Sequence, residues 1–282
     1  MKDLEIPIKE TGIDSIDLVT IRVGLEKYFN FEVNDADWYG FNSLTEVLYF
    51  FHKNKRNSES VIDISKPIMT ERTLEIRMPQ MANSALSENW FLKEIGDIHW
   101  ELLSLGLVQK SSKFKDDVGN RLYATFVRIN YSIRPLNYFQ ENEIIELSGE
   151  ISRFGSNTYF TSIHGNCNDK SIHAELISIF AIRELNYNSM ISKSNPQTKI
   201  NHIKQLDFCP DILNQYKLLK KELLDELSFQ NYKFQLSNNS IYSIDYKINP
   251  YYEINGVGLL YFACYPIILT VVLTLFFVLQ LN

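Results

Sequence analysis

The chain is poor in cysteine and has no surplus of basic residues. Only three cysteines occur among 282 residues, and Cys167, Cys209 and Cys264 lie far apart with no CxxC spacing. Such spacing argues against a disulfide framework and against a structural zinc site, so no metal is expected. Lysine and arginine number 28 against 34 aspartate and glutamate residues, which gives a formal net charge of -6. Without a basic stripe, nucleic acid is not an expected partner.

Each end of the chain lacks one class of residue. The N-terminal segment MKDLEIPIKE has no apolar signal region, so the sequence predicts a cytoplasmic protein rather than a secreted one. No charged residue occurs from position 254 to position 282, and residues 257–279 are almost wholly apolar. A run of this length can span a bilayer. Two alternatives stay open for this tail: a transmembrane helix that makes the protein membrane-associated, or the beginning of a buried helix.

The remaining sequence shows helix and strand patterns in a definite order. Apolar residues at helical spacing predict an amphipathic helix over residues 13–29, and Ser43 can cap a second helix. Polar residues 56–69 predict a linker, and a charged helix is expected over residues 210–229. Between them, the pattern predicts the strand TLEIRM, a long apolar helix over residues 86–107, and the strands LYATFVRINYSI, IIELSGEISRFG, TYFTSIHGN and SIHAELISIFAIRE.

The string GIDSIDLV, with about forty residues of matching pattern in all, resembles the Asp-Ser-Leu/Ile motif of acyl and peptidyl carrier proteins. In that family, the serine at the start of a helix receives 4′-phosphopantetheine. The resemblance implies Ser15 as the attachment site and a phosphopantetheinyl transferase as a partner. A helix N-terminus favours the incoming phosphodiester, and Asp14 and Asp17 add negative charge that biosynthetic synthase enzymes would read. The alternative is that Ser15 is only a helix cap.

The run MPQMANSALSENWFLKEIGDIHWELL, with RLYATFVRINY behind it, is similar to the LnmK-like family of biosynthetic acyltransferase/decarboxylases. That family has a double hot-dog fold, in which an antiparallel sheet wraps a long helix. The resemblance implies an acyl-CoA substrate, methylmalonyl-CoA, whose decarboxylated acyl group goes to a carrier in polyketide-type biosynthesis. Two alternatives stay open: a hot-dog dehydratase or thioesterase acting on carrier-bound acyl groups, and an inactive carrier scaffold.

The same resemblance suggests catalytic residues. A tyrosine accepts the acyl group in the family, and Tyr123 is the nearest match in position; its alternative role is that of a core tyrosine. Decarboxylation needs donors for an enolate oxygen, which the backbone of residues 83–87 at the helix start would provide. Asp97 and His99 lie inside the apolar helix, where polar groups are costly unless they are paired or functional. The alternative for His99 is a core histidine whose hydrogen bonds are satisfied.

Four further polar residues lie on the predicted strands. Arg121 and Arg128 would suit a CoA phosphate or a substrate carboxylate, or they are surface residues without a function. His164 and His173 show no ligand spacing with each other, so we propose no metal site there.

A weak internal repeat links the two halves of the chain. The strings LEIRMPQMANSALSENWFL and IYSIDYKINPYYEINGVGLLYFACYP both show an alternating strand, a proline, a polar turn and an aromatic-rich apolar helix. The repeat predicts a second hot-dog unit that begins near residue 241 and lacks its later strands. We therefore expect the chain alone to be inactive or weakly active, with rescue by a homodimer or by membrane contact through the tail.

Taken together, the sequence predicts an α+β protein. A helical carrier domain is followed by a hot-dog domain and an incomplete second hot-dog unit. Because only about a dozen residues precede Asp14, the first helix of the carrier is expected to be missing. The predicted boundaries are 1–55 for the carrier domain, 56–69 for the linker, 70–185 for the hot-dog domain, 186–239 for a connecting loop and helix, and 240–282 for the second unit with its apolar tail.

Overall fold

The computed structural model describes residues 4–29, 31–54, 67–183, 191–196, 202–229, 231–237 and 239–280. Most of the predicted linker and part of the predicted connecting loop lie outside these residues. The helices are α1 (Ser15–Phe29), α2 (Asp35–Gly40), α3 (Leu44–Asn54), α4 (Glu88–Gly106), α5 (Asp211–Lys220) and α6 (Tyr265–Gln280). The strands are β1 (Ile68–Glu75), β2 (Met81–Ala82), β3 (Ala85–Leu86), β4 (Tyr123–Ile133), β5 (Ile144–Phe154), β6 (Thr158–Cys167), β7 (Lys170–Arg183), β8 (Ile191–Lys193), β9 (Glu226–Phe229) and β10 (Tyr232–Gln235).

Side-chain caps set where the three N-terminal helices begin. The Asp14 carboxylate accepts hydrogen bonds from the backbone N–H groups of Ile16 and Asp17, at 2.9 and 2.7 Å. Asp14 is therefore the cap of α1, and Ser15 is its first helical residue. Asn34 caps the short helix α2 by accepting a hydrogen bond from the backbone N–H of Asp37. Ser43 caps α3, as predicted, by accepting a hydrogen bond from the backbone three residues on.

A small aromatic core holds these three helices together. Its buried members are Phe29, Val33, Trp38, Val47 and Phe51. The loop between α1 and α2 is fastened by the buried Arg22, which donates to Glu26 at 2.9 Å and to Asp35 at 2.6 Å. A buried guanidinium is tolerated only when its charge is paired in this way.

The main sheet is antiparallel throughout, with the order β1-β5-β6-β7-β4, and the short β8 pairs with β7. Its five long strands coincide with the five alternating patterns of the sequence. The last four are consecutive in the chain, but β4 lies beside β7 and not beside β5. This crossover places β1 and β4, the first two long strands in the chain, at opposite edges of the sheet.

The helix α4 packs along one face of this sheet. Ser87 caps it by accepting a hydrogen bond from the backbone of Trp90, and the helix continues to Gly106, within one or two residues of the predicted bounds. Its buried residues join the inward-facing side chains of the strands in one large core. The members contributed by α4 include Phe91, Leu92, Ile95, Ile98, Leu102 and Leu103. The predicted hot-dog arrangement, a long helix wrapped by an antiparallel sheet, is confirmed.

The segment after the sheet differs from the prediction in one respect. The helix α5 ends at Lys220, whereas the sequence predicted a helix to residue 229. The strands β9 and β10 follow as a separate two-stranded hairpin. The residues after Lys220 lose the apolar contact of Ile212 and Leu213, which are the buried residues of α5, so nothing holds a further turn of helix against the sheet.

The C-terminal segment forms no strand over residues 241–248, where the sequence predicted one. Within residues 239–260, the only bridge is the isolated pair Ile254 and Leu260. A strand needs a neighbouring edge, and these residues, mostly exposed, lie against none. A 3₁₀ turn, Phe262–Cys264, and the helix α6 follow. Among the described residues, no helix has both the length and the apolar character required to cross a membrane.

Candidate functional site

Ser15 stands at the start of α1 and faces the hot-dog sheet. Its side chain is exposed, and capping is done by Asp14, so the hydroxyl is not used by its own helix. The Lys193 ammonium donates a hydrogen bond to Ser15 Oγ at 3.4 Å. A cavity of about 80 Å³ lies at this point between the two units. It is lined by Ser15, Ile16, Leu18, Val19, Trp38, Tyr39, Phe154, Asn157, Thr158, Lys193 and Leu213.

Apolar contacts hold the helix α1 on the outer face of the sheet, opposite α4. One buried cluster combines residues from α1, from the sheet and from α5. Its α1 members, Ile16, Val19 and Val23, are spaced by three and four residues and so lie on one side of the helix. They meet Phe154, Ile177, Ile212 and Leu213. The carrier-like unit is therefore docked on the sheet rather than held only by the linker.

Ion pairs surround this apolar contact. Asp17 binds Lys217, and the Asp14 carboxylate lies 2.6 Å from the Lys221 ammonium. Burial acts to raise the pKa of Asp14, but hydrogen bonds from Lys221 and from the backbone hold that pKa below its usual value. Lys217 of α5 and Lys221, which directly follows α5, thus pair with the two carboxylates that the sequence predicted to contact partner enzymes.

Three further acidic residues of the carrier unit are also paired. Glu26 and Asp35 bind Arg22 inside the unit, and Glu32 binds Arg153 at the end of β5 at 2.7 Å. Like Asp14 and Asp17, these carboxylates are therefore neutralised within the chain, because each lies beside a guanidinium or ammonium group.

Tyr123 lies at the edge of the sheet, beside a cavity of about 330 Å³ between β4 and the C-terminal segment. The Arg121 guanidinium lies 5.1 Å from the centre of the Tyr123 ring. The described lining contains no carboxylate and no imidazole. It consists of Trp100, Ser111, Arg121, Leu122, Tyr123, Ala124, Thr125, Phe126, Asn255, Gly256, Val257, Leu259, Leu260, Tyr261, Phe262 and Tyr265.

The sheet register connects the two cavities. Tyr123 pairs with Ala181, and Ala181 pairs on its other side with Lys193. Directly paired residues of antiparallel strands project to the same face. At a spacing of about 4.8 Å per strand, the backbones of Tyr123 and Lys193 are roughly 10 Å apart. Ser15, through Lys193, therefore stands two strands away from Tyr123.

Asp97 and His99 do not join Tyr123. Asp97 binds Arg72 at 2.8 Å on the outer side of α4, where Glu94 and Glu101 bind the same guanidinium. His99 is fully buried and bonds to the hydroxyls of Thr161 and Ser178, at 2.7 Å each. Burial lowers the pKa of His99 to about 3, so the imidazole is neutral. Neither side chain is part of the cavity lining, although the His99 ring lies 5.0 Å from that of Phe126, which is.

The remaining predicted residues have local partners. The Arg128 guanidinium bonds to Asn130 and to Gln215 of α5, at 3.0 and 2.8 Å, which fastens α5 to the sheet. Desolvation lowers the pKa of Arg128. His164 and His173 are direct cross-strand neighbours with their Nδ1 atoms 3.2 Å apart, a proximity that the sequence did not indicate. No third ligand joins them: within the described ranges, no group of three metal-binding side chains occurs.

One pair of polar residues was missed by the sequence argument. The phenol of Tyr131 on β4 donates a hydrogen bond to the carboxylate of Glu88, the first residue of α4. Burial raises the pKa of Tyr131, and the Glu88 carboxylate raises it further. The two residues are 43 positions apart, so only the fold brings them together. The predicted donors of residues 83–87 precede the helix; its first free N–H groups begin at Glu88.

Comparison with known proteins agrees with the N-terminal assignment. The family described as "Phosphopantetheine attachment site" matches residues 2–49. No curated protein matches the chain significantly.

Three solved structures are similar to part of this chain. A probable thioesterase from Bartonella henselae is 11% identical, with a TM-score of 0.34, over 46% of this chain and 95% of its own. The 12:0-ACP thioesterase from Umbellularia californica is 12% identical, with a TM-score of 0.41, over 71% and 73%. The 4-hydroxybenzoyl CoA thioesterase from Pseudomonas sp. strain CBS-3 is 8% identical, with a TM-score of 0.36, over 47% and 96%.

The residues at the start of α1 fit a covalently attached cofactor. The serine hydroxyl is exposed, its helix is capped by another residue, and space lies beside it. The chain thus combines an N-terminal phosphopantetheine-binding carrier domain, which implies 4′-phosphopantetheine on a serine, with a hot-dog unit of one long helix and an antiparallel sheet.

Proposed function

We propose that this chain is a carrier-linked acyl-processing protein. Ser15 carries the phosphopantetheine arm, and the hot-dog unit acts on the acyl thioester that the arm presents. One observation supports this above all: Ser15 is docked beside Lys193, on the face and in the strand row that lead to Tyr123.

The docked arrangement favours reaction within one chain. A gap of roughly 10 Å between the Lys193 and Tyr123 backbones is short for an extended phosphopantetheine arm. Tethering keeps the local concentration of the arm's thioester at roughly millimolar values. The 330 Å³ cavity beside Tyr123 is bordered mainly by apolar side chains, which suits a short acyl group.

The reaction we propose is acyl transfer with decarboxylation, as in the LnmK-like family. The Tyr123 oxygen attacks the thioester carbonyl of methylmalonyl-CoA, the carbon–sulfur bond breaks, and CoA leaves as the thiol with the phenol's proton. Loss of CO2 leaves an enolate, which takes up a proton to give a propionyl ester. The arm's thiol then takes the propionyl group, and the phenol is restored. A phenol is a weak nucleophile that needs activation, and the Arg121 guanidinium, 5.1 Å from the centre of the Tyr123 ring, is the charged group of the described lining that would stabilise a developing phenolate.

The attachment is tested by intact mass. Incubation with CoA and a broad-specificity phosphopantetheinyl transferase should add about 340 Da, the mass of the arm. The Ser15→Ala variant should gain nothing. An unchanged mass for the wild type, or an equal gain in the variant, refutes attachment at Ser15.

The acceptor is tested by turnover of methylmalonyl-CoA in the loaded protein. Tyr123→Phe keeps the ring and removes only the hydroxyl. Tyr138→Phe, an exposed tyrosine outside the cavity, is the matched control. We expect the first variant to lose more than a hundredfold and the second to keep full activity. A loss of under about threefold in Tyr123→Phe, ~0.7 kcal/mol in barrier, excludes a nucleophilic role.

The Glu88–Tyr131 pair favours a second candidate, thioester hydrolysis. A carboxylate at the first turn of a helix can activate water, and nearby N–H groups can receive the oxyanion. Glu88→Gln would then abolish release of free acid from an acylated arm, with Tyr123→Phe unaffected. If the hot-dog unit is instead a dehydratase, the acyl chain on the arm becomes unsaturated, and intact mass detects this as the loss of water. A loaded chain that turns over none of these substrates is a docking scaffold.

A further inference from the structure

Lys193 is a basic residue of the hot-dog sheet that contacts the proposed attachment serine. It lies on the short strand β8 and donates to Ser15 Oγ at 3.4 Å, across the cavity between the two units. In the described part of the chain, Lys193 forms no ion pair, whereas the neighbouring Lys217 and Lys221 are paired with Asp17 and Asp14. Among the described residues, the Lys193 ammonium is therefore left without a direct ion-pair partner beside the atom that receives the arm.

We propose that Lys193 binds the phosphodiester of the phosphopantetheine arm and so locks the modified carrier domain onto the hot-dog sheet. This inference rests on the proposed attachment at Ser15. It adds a binding residue outside the carrier domain, and it makes docking depend on modification.

The geometry of the bond supports this site. The phosphorus atom of the arm is bonded directly to Ser15 Oγ, so the non-bridging phosphate oxygens are two bonds from the atom that Lys193 already contacts. Those oxygens can approach the ammonium at least as closely as Ser15 Oγ does. A hydrogen bond from an ammonium group to a phosphate oxygen is stronger than one to a neutral hydroxyl.

The charges around Lys193 favour the binding of an anion at this position. Desolvation by the docked helix lowers the pKa of Lys193, and the charge of Lys220 lowers it further, although Asp14 opposes this effect. A phosphodiester, which is negatively charged throughout the neutral range, would relieve the repulsion between the two lysines.

Modification therefore changes the balance between docked and undocked carrier. In the unmodified protein, docking depends on the apolar cluster and on the pairs of Asp14 and Asp17 with α5. Those carboxylates must be released for a transferase to read them. After modification, one additional charged pair holds the helix in place. The arm then begins on the same face as the row that leads to Tyr123.

Hydrogen exchange of the full chain tests the proposal. Protection of the α1 amides is compared before and after loading with 4′-phosphopantetheine from CoA, and intact mass shows that each sample is fully loaded. In the wild type, loading should increase protection of α1 by about two- to fivefold, the size of one partly exposed ion pair. Lys193→Gln should abolish that increase. Lys193→Arg should retain it.

Lys233→Gln is the matched control, because Lys233 is an exposed lysine on the separate β9–β10 hairpin. It should show the wild-type increase, and the phosphorus-31 resonance of the loaded protein should move in Lys193→Gln but not in Lys233→Gln. A loaded wild type without added protection, or an equal increase in Lys193→Gln, overturns the role of Lys193 and leaves attachment at Ser15 intact. No gain in mass on loading overturns both proposals.

Discussion

His99 lies on the face of α4 that packs against the sheet, where its neighbours are apolar. Its two ring nitrogens bond to the hydroxyls of Thr161 and Ser178, so one nitrogen donates and the other accepts. The sequence left open whether this polar residue was catalytic or a satisfied core histidine. The contacts and the lowered pKa describe a neutral side chain that joins α4 to β6 and β7, far from solvent.

We predict that His99 makes stability dependent on pH. Its pKa is about 3 in the folded protein against an ordinary value of 6.5. Between these values, the unfolded chain binds a proton that the folded protein excludes, so the free energy of unfolding falls as the pH falls. The slope is about 1.4 kcal/mol per pH unit below 6.5. Urea denaturation at pH 7.5 and 5.5 should therefore show a loss of about 1.4 kcal/mol.

His99→Gln is the comparison, because an amide can still donate and accept between the two hydroxyls. It should be less stable at pH 7.5 by about 1–3 kcal/mol but should lack the additional loss at pH 5.5. Since the chain has four other histidines, the difference between the two proteins is the informative quantity. Equal losses in both would show that His99 is protonated in the fold.

At the level of elements, α1 differs from the amphipathic helix that was predicted. Its residues Leu18, Ile21 and Leu25 contact the core of the carrier unit, while Val19 and Val23 contact the sheet. The helix is therefore apolar on two sides. Periodicity showed that a helix forms here, but a second apolar side can be understood only when its partner surface is known.

The same limit explains which parts of the site could be predicted. Alternation and helical spacing located the five long strands and α4, because those patterns depend on neighbours in sequence. The strand order, and with it the row from Tyr123 to Lys193 and the pairing of His164 with His173, depends on which strands meet. Ser15 could be predicted because its motif is local. Lys193 could not, because its importance comes from a contact across 178 positions.

We predict that the turn between β5 and β6 controls docking of α1. Gly155 has φ +73°, and a Cβ there would lie 2.6 Å from Val19 Cγ1. Gly155→Ala should therefore cost about 1 kcal/mol in backbone strain and also push α1 away from the sheet. Hydrogen exchange of α1 should speed up several-fold.

Gly119→Ala separates these two effects. Gly119 also has positive φ, +95°, but a Cβ there would meet nothing within 4 Å. This variant should lose a similar amount of stability in urea while α1 exchanges at the wild-type rate. Equal exchange of α1 in both variants would mean that the contact at Val19 does not hold the carrier domain in place.

On the scale of the whole molecule, the hot-dog sheet is covered unequally. The helix α4 covers one face, and α1 and α5 cover part of the other. The C-terminal segment is fastened to the core at Phe262 and Ala263, with the Phe262 ring 4.6 Å from that of Phe126. The helix α6 then leaves the core. No strand forms in the described residues 239–260. The second hot-dog unit therefore stays a prediction.

We predict that α6 makes the chain self-associate. The helix has no charged residue, and most of its large apolar side chains are exposed, Leu269 by 56% and Phe277 by 58%. A contiguous apolar surface of this kind is unfavourable in water and is buried when two copies meet. Sedimentation at increasing concentration should show dimers or larger species of the wild type. The double variant Leu269→Lys and Phe277→Lys should be monomeric over the same range. Val118→Lys, which changes a loop residue that is 87% exposed, should associate like the wild type. A monomeric wild type would show that α6 does not cause self-association. Association that persists in the double variant would show that another surface mediates contact between copies.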